Sequence, residues 1–485
     1  MAEFGITGVG SYIPRLRLAR SAIVSAHAWM APGLKGLGKG ERAFCGWDED
    51  AITMAVEAAR DCLGAERDGI TTLKVASTSF PFDDLQNSAI IASALRLPAQ
   101  MEASDVGHSQ RAGTSALLGA LKAGEEALVI ASDRPIAKPA STFELTSGAG
   151  GVAFRLGTDR VIARLLGAAS ITDPFVDHFR LAGSRYDFHW EERWIRDEGY
   201  LKLAPQAIRA ALADADVEIG AIQHLVLALP MRGAAEAVAK KVGFAGTLAD
   251  NLDGRCGHAG SAHALLMIAH VLESAAPGER ILLVGFGQGA DALLLEVTEA
   301  IGNARPNSVS RALGEGISTD SYNRMLSFYG GIDLEWGMRA EKSGKTPLSE
   351  QYRSADQIAG FVAGQCGSCG TVQFPQLQYC VAPECHASAS GFTDAPLDDA
   401  PFQVMTHTAD WLAYYPAPPL NVGFVQFDNG ARLIMEMVDV GPEGIDAGTQ
   451  LKAVFRVKER DRERGYHRYF WKAAPLRAEK VEADG

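Results

Sequence analysis

Residues 200–298 run through the same order of predicted elements as residues 1–165 of this 485-residue chain. Two segments correspond in this repeat: RAGTSALLGALKAGEEALVIASD at 111–133 and HAGSAHALLMIAHVLESAAPGERILLVGFG at 258–287. Each places a turn of small residues before an apolar helix and then a buried strand. Upstream of these segments, HLVLALP at 224–230 corresponds to KVASTSFP at 74–81. Self-similarity of this kind indicates an internal duplication, in which two copies bury their apolar faces against each other.

Each copy alternates strands with helices, which predicts a mainly parallel sheet covered by helices. Apolar periodicity marks helices over Asp50–Leu63, from near Gly113 and over Leu201–Leu212, and buried strands over Leu73–Ser77 and Ala127–Ala131. The two copies together predict a pseudo-twofold, five-layered αβαβα body. We expect ligands where the two small-residue turns meet, because helix N-termini present free N–H groups to that space.

The pattern changes after Gly302. Tyr322–Glu341 is predicted as one helix broken at Gly330–Gly331, and Lys342–Ile358 as a polar linker. Short β-type runs from Phe402 to Pro475, with a hairpin turn at Asp428–Gly430, predict a five-stranded β-barrel of the OB-fold type. The predicted division is 1–165 and 166–335 for the two halves of the body, 336–363 for a linker, 364–390 for a metal ribbon and 391–485 for the barrel.

Four of the seven cysteines lie within 20 residues, in CGSCGTVQFPQLQYCVAPEC. The C-x2-C-x10-C-x4-C spacing, with a glycine after each of the first two thiols, predicts one zinc ion held by the four thiolates. A closed set of four thiolates leaves no position for water, so the zinc is expected to be structural. His386 is an alternative fourth ligand in place of Cys385. The predicted ligands are Cys366, Cys369, Cys380 and Cys385.

The formal net charge of −13 argues against binding to a phosphate backbone, so we expect no nucleic-acid partner. The basic cluster Lys458–Arg464 is interleaved with acids and is interpreted as a solvated hairpin tip. The first residues show neither a basic n-region nor an apolar h-region, and no apolar run reaches about 18 residues. The sequence therefore favours a cytoplasmic protein without a membrane partner.

Two parts of the chain resemble known families. GITGVGSYIPRLRL, GERAFCGWDEDAITMAVEAAR, RAGTSALLGAL and VGFGQGADALLLEV, all within the first 330 residues, resemble the hydroxymethylglutaryl-CoA synthase branch of the thiolase superfamily, which is similar to β-ketoacyl synthase III. Residues 360–475 look like the acyl-CoA-binding zinc-ribbon and OB-fold proteins that partner thiolase-like aldolases. The resemblance implies a thiolase-like body fused to an acyl-CoA-binding module, with coenzyme A as part of the substrate, and a homodimer formed through the body.

The resemblance fails at the catalytic residues of the synthases. Their nucleophilic cysteine corresponds to Gln110, and a carboxamide cannot hold an acyl group. Their acid/base glutamate corresponds to Thr78 and their histidine to Ala228. A condensation through a cysteine acyl-enzyme at this place is therefore not expected.

The second turn supplies other candidates. His258 stands where the synthases have an asparagine, and it is a candidate base or hydrogen-bond donor, or else a packing residue. Cys256 is a candidate relocated nucleophile, or else a small packing residue. Ser109 is a candidate nucleophile or proton relay, or else an N-cap. We interpret Cys45 and Cys62 as structural.

Residues 177–200, DHFRLAGSRYDFHWEERWIRDEGY, concentrate histidines, carboxylates and Tyr200 between the two halves. In the resembling synthases this insertion covers the substrate tunnel. Tyr200 or a carboxylate from it is a candidate to take the proton of a β-hydroxyl in a retro-aldol reaction. The alternative is a charged helix face.

The leading hypothesis is an acyl-CoA enzyme that makes or breaks a C–C bond next to the thioester, as an aldolase or retro-aldolase, without a cysteine acyl-enzyme. A thiolase or acyltransferase with its nucleophile at Cys256 is the alternative within enzymes. A non-catalytic acyl-CoA-binding scaffold is the alternative outside them.

Overall fold

The computed structural model describes residues 3–302, 306–341, 344–441 and 443–476. It separates into two compact units, the first ending at Asp333 and the second beginning at Leu334. No helix in the described part of the chain is long and apolar enough to cross a membrane. The finer division into five segments stays a prediction, and the last nine residues of the predicted barrel segment lie outside the described residues.

The first unit contains two five-stranded sheets with the same strand order. Its strands are β1 Gly5–Tyr12, β2 Leu16–Ala19, β3 Glu41–Ala43, β4 Thr72–Ala76, β5 Glu102–Val106, β6 Ala127–Asp133, β7 Gly150–Gly157, β8 Ala163–Thr172, β9 His178–Phe179, β10 Phe188–His189, β11 His224–Leu227, β12 Thr247–Leu248, β13 Arg280–Phe286, β14 Gly289–Val297 and β15 Ile317–Thr319.

One sheet has the order β1-β7-β6-β4-β5 and the other β8-β14-β13-β11-β12. In both, the first three strands are antiparallel and the last three parallel. The sheets join through a single pair, Ile6 with Ala163. This correspondence, strand for strand, confirms the duplication.

The helices of the first unit complete five layers. They are α1 Arg20–His27, α2 Ala51–Leu63, α3 Asn87–Ala94, α4 Ala112–Ala123, α5 Thr142–Thr146, α6 Glu192–Trp194, α7 Leu201–Asp214, α8 Ala234–Val242, α9 Asp253–Cys256, α10 His263–Leu272, α11 Ser308–Gly314 and α12 Tyr322–Phe328. Helices α4 and α10 lie between the sheets and contact both, whereas α2 covers the outer face of one sheet and α7 that of the other. The predicted αβαβα body is therefore confirmed.

Local sequence explains the ends of these helices. Asp50 begins α2 with a reciprocal cap: its carboxylate accepts from the Thr53 amide at 3.0 Å, and the Thr53 hydroxyl accepts from the Asp50 amide at 2.9 Å. Gly124 ends α4 in the left-handed region, at φ 69°, where a residue without Cβ is favoured.

The region after the duplication differs from the prediction. The helix expected over Tyr322–Glu341 ends at Phe328, and only a short 3₁₀ turn, Met338–Ala340, follows it. Gly330, at φ 66°, turns the chain out of the helix. The predicted linker contains two short helices, α13 Leu348–Arg353 and α14 Ala355–Ile358, although its residues 342 and 343 lie outside the described part.

The second unit contains a three-stranded ribbon sheet and a barrel. Its strands are β16 Val362–Cys366, β17 Val372–Gln373, β18 Phe392–Pro396, β19 Phe402–Val404, β20 Thr408–Asp410, β21 Leu420–Phe427, β22 Arg432–Met437, β23 Gln450–Asp461 and β24 Tyr466–Pro475. The ribbon has the order β17-β16-β18.

The barrel closes through five strands in the order β19-β21-β22-β24-β23 and back to β19. Only β22 and β24 run parallel. The turn after Phe427 joins β21 to β22, as the sequence predicted for Asp428–Gly430. Aromatic rings fill the interior, where Phe402 and Phe427 stack at 4.4 Å. The closed five-stranded barrel of the OB type is confirmed.

Candidate functional site

The two small-residue turns meet inside the first unit. Gly113, at the start of α4, packs against the turn before α10, where an added β-carbon would lie 2.3 Å from the Ser261 carbonyl oxygen. The loop between β13 and β14 approaches equally closely, because a β-carbon on Gly287 would lie 2.9 Å from the amide nitrogen of Gln110. Both glycines let backbone from the second half reach the turn that carries Gln110.

Ser109 is fully engaged in holding this turn. Its hydroxyl donates to the Gly287 carbonyl at 2.9 Å and accepts from the Arg111 amide at 3.3 Å. The N-cap of α4 is Arg111, so Ser109 does not have the N-cap role that the sequence left open beside a nucleophilic one. The Ser109 hydroxyl links the two halves and holds the turn before the helix.

Gln110 contacts His178, one of the histidines that the sequence concentrates in the 177–200 insertion. Its Nε2 lies 3.2 Å from Nε2 of His178, which comes from the 177–200 insertion. The Gln110 Oε1 atom is buried and accepts no hydrogen bond within the described structure. Gln110 occupies the position that the resemblance assigns to the nucleophile. Its Nε2 atom contacts His178, and its Oε1 atom is available to accept a hydrogen bond.

The insertion forms a small hairpin, β9 with β10, that is tied to both halves. The Arg180 guanidinium donates to the Thr78 carbonyl of the first half. The Gln288 amide of the second half donates to the Asp177 carboxylate at 3.0 Å. The insertion therefore contacts both halves; that it covers a substrate tunnel, as the resemblance implies, stays a prediction.

Asp177 and His178 form an ion pair beside Gln110. His178 Nδ1 lies 3.1 Å from the buried carboxylate of Asp177. Desolvation lowers the pKa of His178, but the hydrogen bond and charge of Asp177 more than offset it and raise this pKa above its ordinary value. The His189 ring stacks on His178 at 5.4 Å, and desolvation lowers its pKa.

His258 lies in the second turn with the opposite electrostatic character. It is 8% exposed, its backbone amide donates to the Thr146 carbonyl at 2.7 Å, and its ring forms a hydrogen bond with the Ala228 backbone. Its Nε2 is buried and has no hydrogen-bond partner. Burial, with a smaller contribution from the charge of His178, lowers the pKa of His258 to about 4. The ring is neutral at physiological pH and keeps a free nitrogen.

Thr78 and Ala228 surround this space without offering an acid or a base. The Thr78 hydroxyl donates to the Asp133 carboxylate at 2.8 Å. Asp133 is fully buried and also accepts from the Ser261 amide, at 2.8 Å, and from the Ser261 hydroxyl, at 2.9 Å. The carboxylate therefore joins the two halves behind the site, and the Thr78 hydroxyl is committed to it.

The three cysteines of the first unit, Cys45, Cys62 and Cys256, are buried or half-buried. The Cys256 thiol lies 3.5 Å from the carbonyl oxygens of Leu252 and Gly257. Burial raises the pKa of Cys256 to about 11 and that of Cys62 to about 12, and it raises the pKa of Cys45 further. All three are protonated at neutral pH, which disfavours nucleophilic attack.

Tyr200 and the acids of the insertion have structural surroundings. Tyr200 is buried at the start of α7, its ring packs edge-on against Phe286 at 4.8 Å, and burial raises its pKa above the ordinary value. Asp197 pairs with Arg196 at 2.8 Å, and Glu198 pairs with Lys202 at 2.5 Å, on an exposed surface. These acids match the charged helix face that the sequence offered as the alternative.

The four ribbon cysteines form a cluster that can hold a metal ion. Their sulfur atoms all lie within 4.8 Å of one another, with Cys366 and Cys385 at 3.8 Å and Cys369 and Cys380 at 3.5 Å. Four sulfurs at about 2.3 Å from a tetrahedral zinc would be separated by roughly 3.8 Å, so the cluster fits this ion.

Sequence reasoning missed the Asp177–His178–Gln110 chain. The insertion was singled out for its histidines, carboxylates and tyrosine, but only the tyrosine and the carboxylates were considered for proton transfer, and Gln110 was treated only as a lost nucleophile. The 68 positions between Gln110 and His178 left no local pattern to connect them. The available signal was a histidine directly after an acid, in an insertion expected to cover the site.

Comparisons with known proteins identify relatives of the first unit. The chain is 31% identical over 321 residues to a hydroxymethylglutaryl-CoA synthase of Methanosphaera stadtmanae, spanning 63% of this chain and 91% of that relative. It is 31% identical over 314 residues to the synthase of Methanopyrus kandleri, spanning 62% and 89%. No protein-family model matches the chain.

Solved structures show the same fold at lower identity. An HMG-CoA synthase complexed with CoA superposes with a TM-score of 0.59 at 17% identity, covering 71% of this chain and 95% of that one. The 3-oxoacyl-(acyl carrier protein) synthase III of Pseudomonas aeruginosa superposes with a TM-score of 0.56 at 20% identity, covering 62% and 99%. The chain therefore belongs to the hydroxymethylglutaryl-CoA synthase family of the thiolase superfamily, with a cysteine ribbon and a five-stranded barrel in its C-terminal part.

Proposed function

We propose that this protein is an acyl-CoA-dependent enzyme that makes or breaks a C–C bond next to a thioester by acid–base chemistry, as an aldolase or retro-aldolase. Family membership supports the substrate class, since the relatives are named as synthases of a CoA ester. The observation that carries the proposal is the pairing of Gln110 with His178 and the nearby free nitrogen of His258, in a unit whose cysteines are all protonated.

The two histidines supply the acid–base character. Neutral His258 presents a free Nε2, which suits a base that takes a proton from a hydroxyl. His178 is stabilised as a cation by Asp177. Environments that push two titratable groups apart in pKa are typical of enzyme sites; here His258 is the proposed base, and His178 contacts Gln110.

In the cleavage direction, His258 takes the proton of the β-hydroxyl of a β-hydroxyacyl-CoA. The bond between the α and β carbons breaks, its electron pair moves into the thioester enolate, and the β-carbon becomes a carbonyl. The enolate takes at its α-carbon the proton that His258 accepted, so His258 returns to its neutral form and the proton count balances. The N-terminal end of α4 favours the negative charge that develops on the thioester oxygen. Condensation is the reverse of these steps.

The metal has no part in this reaction. We infer that Cys366, Cys369, Cys380 and Cys385 hold a structural zinc, because four thiolates close its coordination. We also propose that the ribbon and barrel bind the CoA portion of the substrate, as the resemblance to acyl-CoA-binding modules implies. A homodimer formed through the thiolase-like body remains an expectation from the same resemblance.

The alternative with a relocated nucleophile finds less support. A thiolate at Cys256 would have to form at a buried thiol whose pKa is about 11. The scaffold alternative predicts that CoA esters bind without turnover. This alternative gives no role to the unpaired Nε2 atom of His258.

The test is a panel of β-hydroxyacyl-CoA and β-ketoacyl-CoA esters of increasing chain length, with CoA binding and product formation measured in parallel. We expect at least one β-hydroxyacyl-CoA to give a shorter acyl-CoA and a carbonyl compound in equal amounts. Binding of CoA esters without turnover of any panel member would establish the scaffold function instead.

A further inference from the structure

The Gln110 carboxamide has an unusual pair of surroundings. One end contacts His178, and the other end is a buried oxygen without a partner, at the place where the proposed reaction occurs. A buried carbonyl oxygen that accepts no hydrogen bond costs about 1–3 kcal/mol, so such an atom needs a reason. A hydroxyl group on a bound substrate would supply the missing donor.

The protonation state of His178 determines which end of the Gln110 carboxamide can form a hydrogen bond with its Nε2 atom. Its Nδ1 faces the carboxylate of Asp177 at 3.1 Å, and Nδ1 therefore carries a proton in both charge states. In neutral His178 the Nε2 atom is an acceptor and receives a hydrogen from the Gln110 amide. In protonated His178 the Nε2 atom is a donor, so the Gln110 oxygen must face it.

We propose that the Gln110 carboxamide rotates with the protonation state of His178 and so selects the oxygen on the β-carbon of the bound acyl-CoA. With His178 neutral, Oε1 faces the substrate and accepts from a β-hydroxyl. With His178 protonated, the NH₂ group faces the substrate and donates to a β-carbonyl. Gln110 thereby contacts the substrate directly, and His178 is a positioning residue. This inference rests on the proposed function for the identity of the substrate, but the rotation itself does not.

The charged and aromatic groups around His178 set the pKa of its ring. Asp177 and Asp187 favour the cation, and Arg180 opposes it. Among the neighbouring rings, His189 stacks on His178 and His258 approaches from the second turn. The net result is a pKa of His178 above the ordinary value for histidine.

The rotation can be tested on the full chain without substrate. The side-chain amides of glutamine are labelled with ¹⁵N, and the Gln110 resonance is assigned by its loss in Gln110→Met. We expect this resonance to move with pH at the midpoint of the His178 ring titration, and to stop moving in His178→Asn. Gln426, which donates to the carbonyls of Phe427 and Ala431 in the second unit, is the control resonance that should stay in place.

A Gln110 resonance that stays constant while His178 titrates would overturn the inference. So would a pH-dependent movement that survives in His178→Asn, or a His178 ring that does not titrate between pH 5 and 9. The NMR titration contains no CoA ester, so its outcome does not depend on whether any member of the substrate panel reacts. Conversely, turnover of a panel member would stand even if the Gln110 resonance did not move.

The selection is tested by equilibrium binding in a His258→Asn background, which suppresses turnover. The probes are one β-hydroxyacyl-CoA and the matching β-ketoacyl-CoA. We expect the ratio of their affinities to favour the hydroxyl ester at pH 9 and to shift by about tenfold toward the carbonyl ester at pH 5.5, since one hydrogen bond is gained and another lost. The shift should vanish when Gln110→Met is added. An equal ratio at both pH values would overturn the selection.

Discussion

At the scale of single residues, the site is defined by two histidines with opposite surroundings. His178 gains a carboxylate partner, whereas His258 is buried beside another imidazole, His263, at 4.2 Å between ring centroids. The sequence identified His258 because it directly precedes a helix in a duplicated turn. It could not separate the roles of the two rings, because the burial that lowers the pKa of His258 comes from distant parts of the chain, although the carboxylate partner of His178 is the adjacent Asp177.

His258→Asn should lower kcat by about 10²–10⁴-fold, because this is the usual contribution of a general base. The affinity for CoA esters should change little, since asparagine is smaller and still polar. His224→Gln is the matched control: His224 begins β11, at the end of the strand away from Ala228, and should retain full activity. Unchanged turnover in His258→Asn would show that another group is the base.

Burial of His258 also predicts a pH dependence of stability. Its pKa falls from about 6.5 in the unfolded chain to about 4 in the folded protein, so the unfolded chain binds the proton first as the pH falls. Stability should therefore be lost between about pH 6.5 and pH 4, by up to roughly 3 kcal/mol from this residue.

Thermal denaturation of the wild type and of His258→Gln, at pH 7 and pH 4.5, measures this effect. The variant should lose less stability than the wild type on acidification. Equal losses in both proteins would mean that His258 carries no folded-state pKa shift. His178 acts in the opposite direction, because its protonated form is favoured in the folded protein.

At the scale of elements, the sequence predicted what depends on local patterns. The apolar periodicity of α2 and α7 and the buried run of β6 located these elements to within a few residues. The helix expected over Tyr322–Glu341 was wrong beyond Phe328, because Gly330, in the left-handed region at φ 66°, turns the chain out of the helix. The hairpin β9–β10 was not predicted, since each strand has only two residues and is held by contacts from both halves.

Because α4 approaches the second turn closely at Gly113, adding one methyl group at this residue should lower the stability of the first unit. Gly113→Ala should destabilise the first unit by about 1–3 kcal/mol, because the added carbon would lie 2.3 Å from the Ser261 carbonyl oxygen and force the elements apart. Gly119→Ala, in the same helix with nothing within 4 Å, is the control and should stabilise slightly. The midpoints of chemical denaturation report both changes, and equal effects of the two substitutions would contradict the packing described.

At the scale of the whole molecule, the chain combines a duplicated family body with a ribbon and a barrel in one polypeptide. The duplication made the body predictable from sequence, and the cysteine spacing made the ribbon predictable. The chemistry was less predictable, because the positions that the resemblance assigns to the catalytic residues hold Gln110, Thr78 and Ala228. His178, which we propose positions Gln110, lies 68 residues from it in the sequence.

Removal of zinc tests the separate roles of the two units. A chelator should release one zinc per chain and raise the KM for acyl-CoA, while kcat at saturating substrate is retained. Metal analysis and steady-state kinetics on the same samples measure these changes. A loss of kcat in proportion to the zinc removed, at constant KM, would show that the metal takes part in the reaction.

The central claim is C–C bond chemistry without a cysteine acyl-enzyme. Its most direct test is intact-mass measurement of the protein quenched during turnover of a β-hydroxyacyl-CoA that the panel shows to be a substrate. We predict product formation with the protein at its unmodified mass throughout. An acyl adduct that appears during turnover, and is lost in Cys256→Ala together with activity, would contradict the account.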